Sequence, residues 1–100
     1  MKFDLADKND QRITESSPYA LVCSSNVARV PDREGICLLI NGENQVTCVG
    51  KTSGNTLKEA IKAQITADNG NEAKKYRWFV TRSSKAAKEL EADWIRKYCY

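Results

Sequence analysis

Gly35-Ile36-Cys37-Leu38-Leu39-Ile40, Asn41-Gly42-Glu43-Asn44 and Gln45-Val46-Thr47-Cys48-Val49-Gly50 follow one another without a break and decide the fold. The first is an apolar run of strand length. The last is a second run of strand formers, and the four residues between them are a turn cluster. The two runs therefore make a hairpin. With Ile40 opposite Gln45, Cys37 stands directly across from Cys48. A three-residue loop makes the two cysteines diagonal neighbours instead.

On the C-terminal side, Thr56-Leu57-Lys58-Glu59 is a capping box, with a hydroxyl and a carboxylate three residues apart. Leu57, Ala60, Ile61 and Ile65 recur at helical spacing behind it, which predicts an amphipathic helix over 56–68. Asp68-Asn69-Gly70-Asn71 stops that helix. Residues 75–81 are rich in strand formers, with Tyr76, Trp78 and Val80 on one face and Arg77, Phe79 and Thr81 on the other. Ser83 or Ser84 caps a last helix that carries Ala87, Leu90, Trp94 and Ile95 to about residue 98. Trp78 and Trp94 read as core.

On the N-terminal side, Ser17-Pro18 reads as an N-cap with proline at the first helical position. It predicts a helix carrying Tyr19, Leu21, Val22, Val27 and Val30 and ending before Pro31. Residues 1–16 are polar, have few apolar anchors and read as loosely held. The expected fold class is α+β: a small three-stranded, mostly antiparallel sheet flanked by helices, with a β-β-α-β-α core and an extra N-terminal helix. The expected organisation is one domain over 17–100, preceded by the segment 1–16.

One hundred residues make one domain, and 41% hydrophobic with 29% charged residues is ordinary globular composition. No apolar run approaches the roughly 18 residues of a membrane span. The first ten residues carry acids where a signal peptide carries a basic patch, so a cytoplasmic, membrane-free setting is expected. There Cys23, Cys37, Cys48 and Cys99 stay as free thiols. Their spacing forms no CxxC pair and the chain has no histidine, which argues against zinc. The net charge of +3 is uneven. Residues 1–50 hold five Lys/Arg against seven Asp/Glu; residues 51–100 hold eleven against six. A basic second half suits a phosphate-bearing partner.

Glu91 is the residue of the last helix that breaks its pattern. At about 100° per residue it falls between Tyr98 and Ile95, inside the apolar stripe and away from Lys85, Glu89, Asp93 and Arg96. A carboxylate on a packed face has either a partner or a task; the plainer reading is a stripe-edge group that reaches water or pairs with a lysine.

Gly35-Ile36-Cys37, some ten residues, Cys48-Val49-Gly50-Lys51-Thr52, a capped helix, an aromatic strand and a helix reading Leu90-Glu91-Ala92-Asp93-Trp94-Ile95 together resemble the GIY-YIG endonuclease family. The resemblance covers roughly residues 30–100. It implies phosphodiester cleavage by a metal-bound water or an activated tyrosine, with Glu91 holding one divalent cation, commonly Mg²⁺. It also implies two tyrosines in the cleft and an arginine on the first core helix that contacts the phosphate. The sequence departs from that pattern three times. Cys37 and Cys48 stand at the tyrosine positions, and Ala60 stands at the arginine position. Lys58 and Lys62 lie about 160° from Ala60 around the helix, at the opposite edge of its stripe. Glu91, the two glycines and Lys51-Thr52 remain. The catalytic set implied is thus Glu91, Lys51 and Thr52, with Cys37 and Cys48 in the tyrosine places.

These readings predict a DNA- or RNA-binding domain with an impaired catalytic site, its phosphates met by Lys51, Lys58, Lys62 and Arg77. Two alternatives are a protein-interaction or structural domain on the same scaffold and an atypical Mg²⁺-dependent endonuclease. For Cys37 and Cys48 the plain reading is small buried apolar residues; the sharper ones are a soft-metal site or a cross-strand disulfide that acts as a thiol switch.

Overall fold

Asn41 sets the hairpin. Its side-chain carbonyl accepts the N–H groups of Glu43 and Gln45, both at 2.9 Å, and Asn44 turns the chain with a left-handed φ of 63°. Residues 42–44 thus form a three-residue loop between β3 (Gly35–Asn41) and β4 (Val46–Lys51). The computed structural model describes residues 2–68 and 73–99. In it Cys37 pairs with Gly50, Leu38 with Val49 and Leu39 with Cys48, so the directly opposed cysteine pair that Ile40 opposite Gln45 would give does not form. Cys37 and Cys48 are diagonal neighbours on one face. Between Leu39 and Ile40 the register shifts, Ile40 pairs with Val46, and Thr47 is the extra residue. Its hydroxyl donates to the Leu39 carbonyl at 3.3 Å. This bulge has a packing consequence. It turns Val46 to the same side as Val49, while Cys48 keeps the other side.

β5 (Ala73–Thr81) pairs antiparallel with β3 on the side away from β4. Its own outer edge is not bare. β1 (Ile13–Ser16) pairs with residues 79–81, and β2 (Ala20–Leu21) pairs with Tyr76 and Lys75. The sheet therefore has five strands in place of the expected three, and the α+β class stands. The helix expected over 17–30 shrinks to the single turn α1 (Ser24–Val27). Ser17 is the reason. Its N–H donates to the Trp78 carbonyl, its hydroxyl accepts the Trp78 N–H at 2.8 Å, and its carbonyl receives Arg77. A residue bound three ways to a strand continues the sheet instead of starting a helix.

The expectation of a loosely held N-terminus is also corrected. Leu5–Asn9 forms a 3-10 turn capped by the Asp4 carboxylate on the Ala6 N–H. Phe3 is buried to 6% exposure against Phe79, Trp94 and Tyr98, with ring centroids 5.4–5.6 Å away. One aromatic ring in an aromatic pocket outweighs a polar composition around it. Charges fasten the same segment: Lys97 bonds Asp7 at 2.8 Å, the Tyr98 hydroxyl donates to Asp7, and Arg12 bonds Asp10 and Asp93.

α2 (Leu57–Asp68) and α3 (Ser84–Tyr98) cover opposite faces of the sheet. Thr56 caps α2 by accepting the Glu59 N–H, and Ser83 caps α3 by accepting the Ala86 N–H. The Asn69-Gly70-Asn71 stop lies outside the described residues. Leu57, Ala60 and Ile61 pack with Cys37, Leu39, Tyr76, Val80, Val27 and Val30. Leu90, Trp94, Tyr98 and Ala87 pack with Ile36, Leu38, Ile40 and Phe79. Strand alternation in β3 and β5 serves both layers at once. Among the described residues no helix is long and apolar enough to cross a membrane.

Candidate functional site

β4 is an edge strand of the sheet, flanked by α2 on one side and α3 on the other, and the candidate site lies along it. Both motif glycines have steric work here. A Cβ on Gly35 would meet the Phe79 carbonyl oxygen at 1.9 Å, so β3 and β5 approach closely only because it is absent. A Cβ on Gly50 would meet the Gln64 amide nitrogen at 1.7 Å. Gln64, from the third turn of α2, lies over Gly50 and accepts the Cys37 thiol proton through Oε1 at 3.1 Å.

Gln64 is the member of this group that the sequence reading missed, although its signal was present. It falls on the stripe of Leu57, Ala60, Ile61 and Ile65 as a polar interruption, as Glu91 does on α3. Beside it a shallow cavity of about 230 Å³ is lined by Leu39, Thr47, Cys48, Gln64, Ala67 and Asp68.

Glu91 is half-buried on α3 and makes no ion pair or side-chain hydrogen bond among the described residues. Its charge reaches both hairpin thiols. Burial, with contributions from Cys48 and Glu91, pushes Cys37 up to about 12. Burial, then Cys99, Asp68 and Glu91, raises Cys48. Both stay protonated at neutral pH, and a protonated thiol is a poor nucleophile and a poor metal ligand. The fold therefore brings Cys37, Cys48 and Gln64 together on the α2 side, while Glu91 stands on α3, on the opposite side, and acts on the thiols only through its charge.

The other expected site residues are placed elsewhere. Thr52 is buried, its hydroxyl accepting the Gly35 N–H at 3.1 Å and its N–H donating to the Gly35 carbonyl, so it closes the hairpin base and faces no substrate. Lys51 pairs with Ile36 and so stands on the α3 side of the sheet. Lys58 lies 3.7 Å from Asp32 at the start of α2. Lys62 borders a separate groove of about 420 Å³ formed with Val22, Cys23, Val27, Ala28 and Ile65. Arg77 lies on β5, apart from the edge strand and the Cys37–Gln64 group. It is 4% exposed, lies on the α3 side, and gives Nε and Nη2 to the Ser17 carbonyl at 3.0 and 2.7 Å.

The donor set does not fit a resident magnesium ion. Magnesium requires hard oxygen donors, usually carboxylates with phosphate oxygens. Glu91 offers one carboxylate, and the two residues implied beside it are protonated thiols, which are soft donors. Among the described residues no three His, Cys, Asp or Glu side chains converge. Cys23, Cys37, Cys48 and Cys99 are all free thiols, so the cross-strand disulfide is not formed.

Residues 20–97 match the family described as Domain of unknown function (DUF7508). The chain belongs to the DUF7508 family. No curated protein matches it. The DUF7508 span contains the hairpin, α2, α3 up to Lys97, Gln64 and Glu91, and it starts after β1, so Phe3 and the N-terminal turn fall outside it.

Proposed function

We propose that this DUF7508 domain binds nucleic acid on a scaffold like that of the GIY-YIG endonucleases and that it binds without cutting. The observation that supports the reading best is the state of Cys37 and Cys48. By the resemblance they stand at the places of the two tyrosines, and burial, with the charge of Glu91 among the lesser causes, keeps them protonated. Thiols in that state supply neither a phenol's reach nor an activated nucleophile, and Ala60 supplies no contact to phosphate. Glu91 and Gln64 retain the capacity to accept hydrogen bonds from a ribose hydroxyl or a base edge. Lys51 at the edge strand and Lys62 on α2 supply phosphate contacts, with Lys58 once Asp32 is displaced.

The test is fluorescence anisotropy with short DNA and RNA duplexes and single strands at low and moderate salt. Binding is expected to weaken with salt, with a log–log slope of about −2 to −3 for three lysines, and each of Lys51→Ala and Lys62→Ala should lower the slope by about 1. Added Mg²⁺ should produce no cleavage. Cleavage that disappears in Glu91→Gln would replace this reading with that of an atypical metal-dependent endonuclease. Absence of binding at low salt would sink it.

The apolar groove of Val22, Val27, Ala28 and Ile65 between α1 and α2 favours a second reading, a protein-interaction domain on the same scaffold. That reading predicts no nucleic-acid affinity and a partner whose capture is lost in Ile65→Glu.

A further inference from the structure

Arg77 is the one strongly buried cation of the described residues, and no carboxylate pairs with it. A guanidinium taken out of water without a counter-charge is expensive. Two compensations are visible. Nε and Nη2 share the Ser17 carbonyl, and the guanidinium carbon sits over three rings: Tyr19 at 4.8 Å, Phe3 at 5.0 Å and Phe79 at 5.4 Å. Aromatic faces stabilise the charge but accept no directed hydrogen bond from its edge.

The edge is unfinished. A guanidinium has five N–H groups, and the Ser17 carbonyl engages only Nε and Nη2. Nη1 has no acceptor among the described residues. It is not sealed in either, because every fully buried side-chain nitrogen or oxygen of the described residues has a partner. Arg77 lines an opening, a cavity of about 420 Å³ between the 3-10 turn and the chain entering β2, where its free N–H groups can meet a ligand. Leu5, Pro18 and Tyr19 form its apolar walls, Ser16 and Ser17 add polar edges, and Lys8 stands at its border. No acidic residue lines it. Asp7, from the same 3-10 turn, is already held by Lys97 and Tyr98.

We propose that this cavity binds a small carboxylate with an apolar body, its carboxylate on Arg77 and Lys8 and its body against Tyr19, Pro18 and Leu5. The carboxylate supplies the counter-charge and the directed acceptors that Arg77 lacks; planar oxyanions match the guanidinium fork. The walls select a ligand with an apolar body over a fully hydrated anion such as inorganic phosphate. The site is on the α3 side and shares no residue with the Cys37–Gln64 group or with Glu91, so it goes beyond the proposed function and stands or falls separately from it.

The experiment is an NMR titration of the full chain with benzoate, acetate and inorganic phosphate, following the Arg77 Nε–H signal and the amides of Ser17 and Tyr19. Benzoate should give saturable shifts at millimolar concentration, with acetate and phosphate weaker by about tenfold. Arg77→Gln should abolish the benzoate response. Because Arg77 also carries packing, Lys8→Gln and Tyr19→Ala, at exposed positions, provide the independent arm, and each should weaken benzoate about threefold or more. Failure of benzoate to saturate, phosphate binding more tightly than benzoate, or shifts unchanged in Lys8→Gln and Tyr19→Ala would each overturn the proposal.

Discussion

Cys37 and Cys48 illustrate how environment, more than residue type, sets chemistry. Both are diagonal neighbours on one face of a hairpin, yet neither is poised to react, because burial and the charge of Glu91 favour the neutral thiol. Cys23 differs. It is exposed, and its hydrogen bond with Ser25 at 3.4 Å, helped by neighbouring backbone N–H groups, lowers its pKa. Alkylation followed by mass spectrometry should therefore modify Cys23 first, exposed Cys99 next and Cys48 slowly, with Cys37 reached only on unfolding. Cys37 reacting as fast as Cys23 in the folded chain would contradict its burial and reopen the idea of a thiol switch. Legibility at this scale was partial. Glu91 and Gln64 both betray themselves as polar interruptions of apolar stripes. The role of Thr52 does not, because a hydroxyl that closes a strand base and one that contacts a phosphate look alike in a sequence.

Among the elements, the N-terminal segment departs most from its sequence signature. It lacks periodicity, and its attachment depends on groups far along the chain: Phe3 among Phe79, Trp94 and Tyr98, and Asp4 and Asp7 against Lys97 and Tyr98. Burial, followed by the hydrogen bond to Asp7, pushes the Tyr98 phenol up to about 12. Unfolded, it would ionise near 10. The group thus contributes stability that is present below about pH 10 and lost as pH rises toward about 12. The Asp7 hydrogen bond pushes Lys97 up to about 12 as well, so its contribution fades over the same window. Alkaline titration followed by Trp94 fluorescence should show a transition between about pH 10 and 12, and Tyr98→Phe should reduce it. An identical transition in Tyr98→Phe would assign it to Lys97 and not to the phenol. The contrast with α2 and α3 is physical. Their caps and stripes act over three or four residues, so their signals are local and legible. The helix expected after Ser17 failed because its N-cap signal is equally a sheet-edge signal once Trp78 and Arg77 are within reach.

For the whole molecule, the N-terminal segment completes one layer of the core. A chain starting at residue 17 would lose Phe3 and β1, and with them the lid over Phe79 and the cover on the outer edge of β5. Removing the Phe3 ring alone should cost about 3 kcal/mol, a large share of the stability of a domain this size. An uncovered strand edge also invites association. The truncated chain should therefore melt well below the full chain and self-associate in sedimentation, although it contains all of the DUF7508 span. Melting within a few degrees of the full chain would show that residues 1–16 are dispensable. By itself the sequence determined the α+β class, the hairpin, the two capped helices with their buried stripes, the alternation of β5 and the misplaced carboxylate Glu91. All of these are carried by patterns within one or two turns or one strand pair. Only the tertiary structure decided the hairpin register, the conversion of residues 17–21 into sheet edge, the anchoring of the N-terminus, and the unpaired Arg77 facing a cavity. Each of those depends on which distant group arrives at a residue, a bulge at Thr47 or a ring from Phe3, and local spacing holds no record of that.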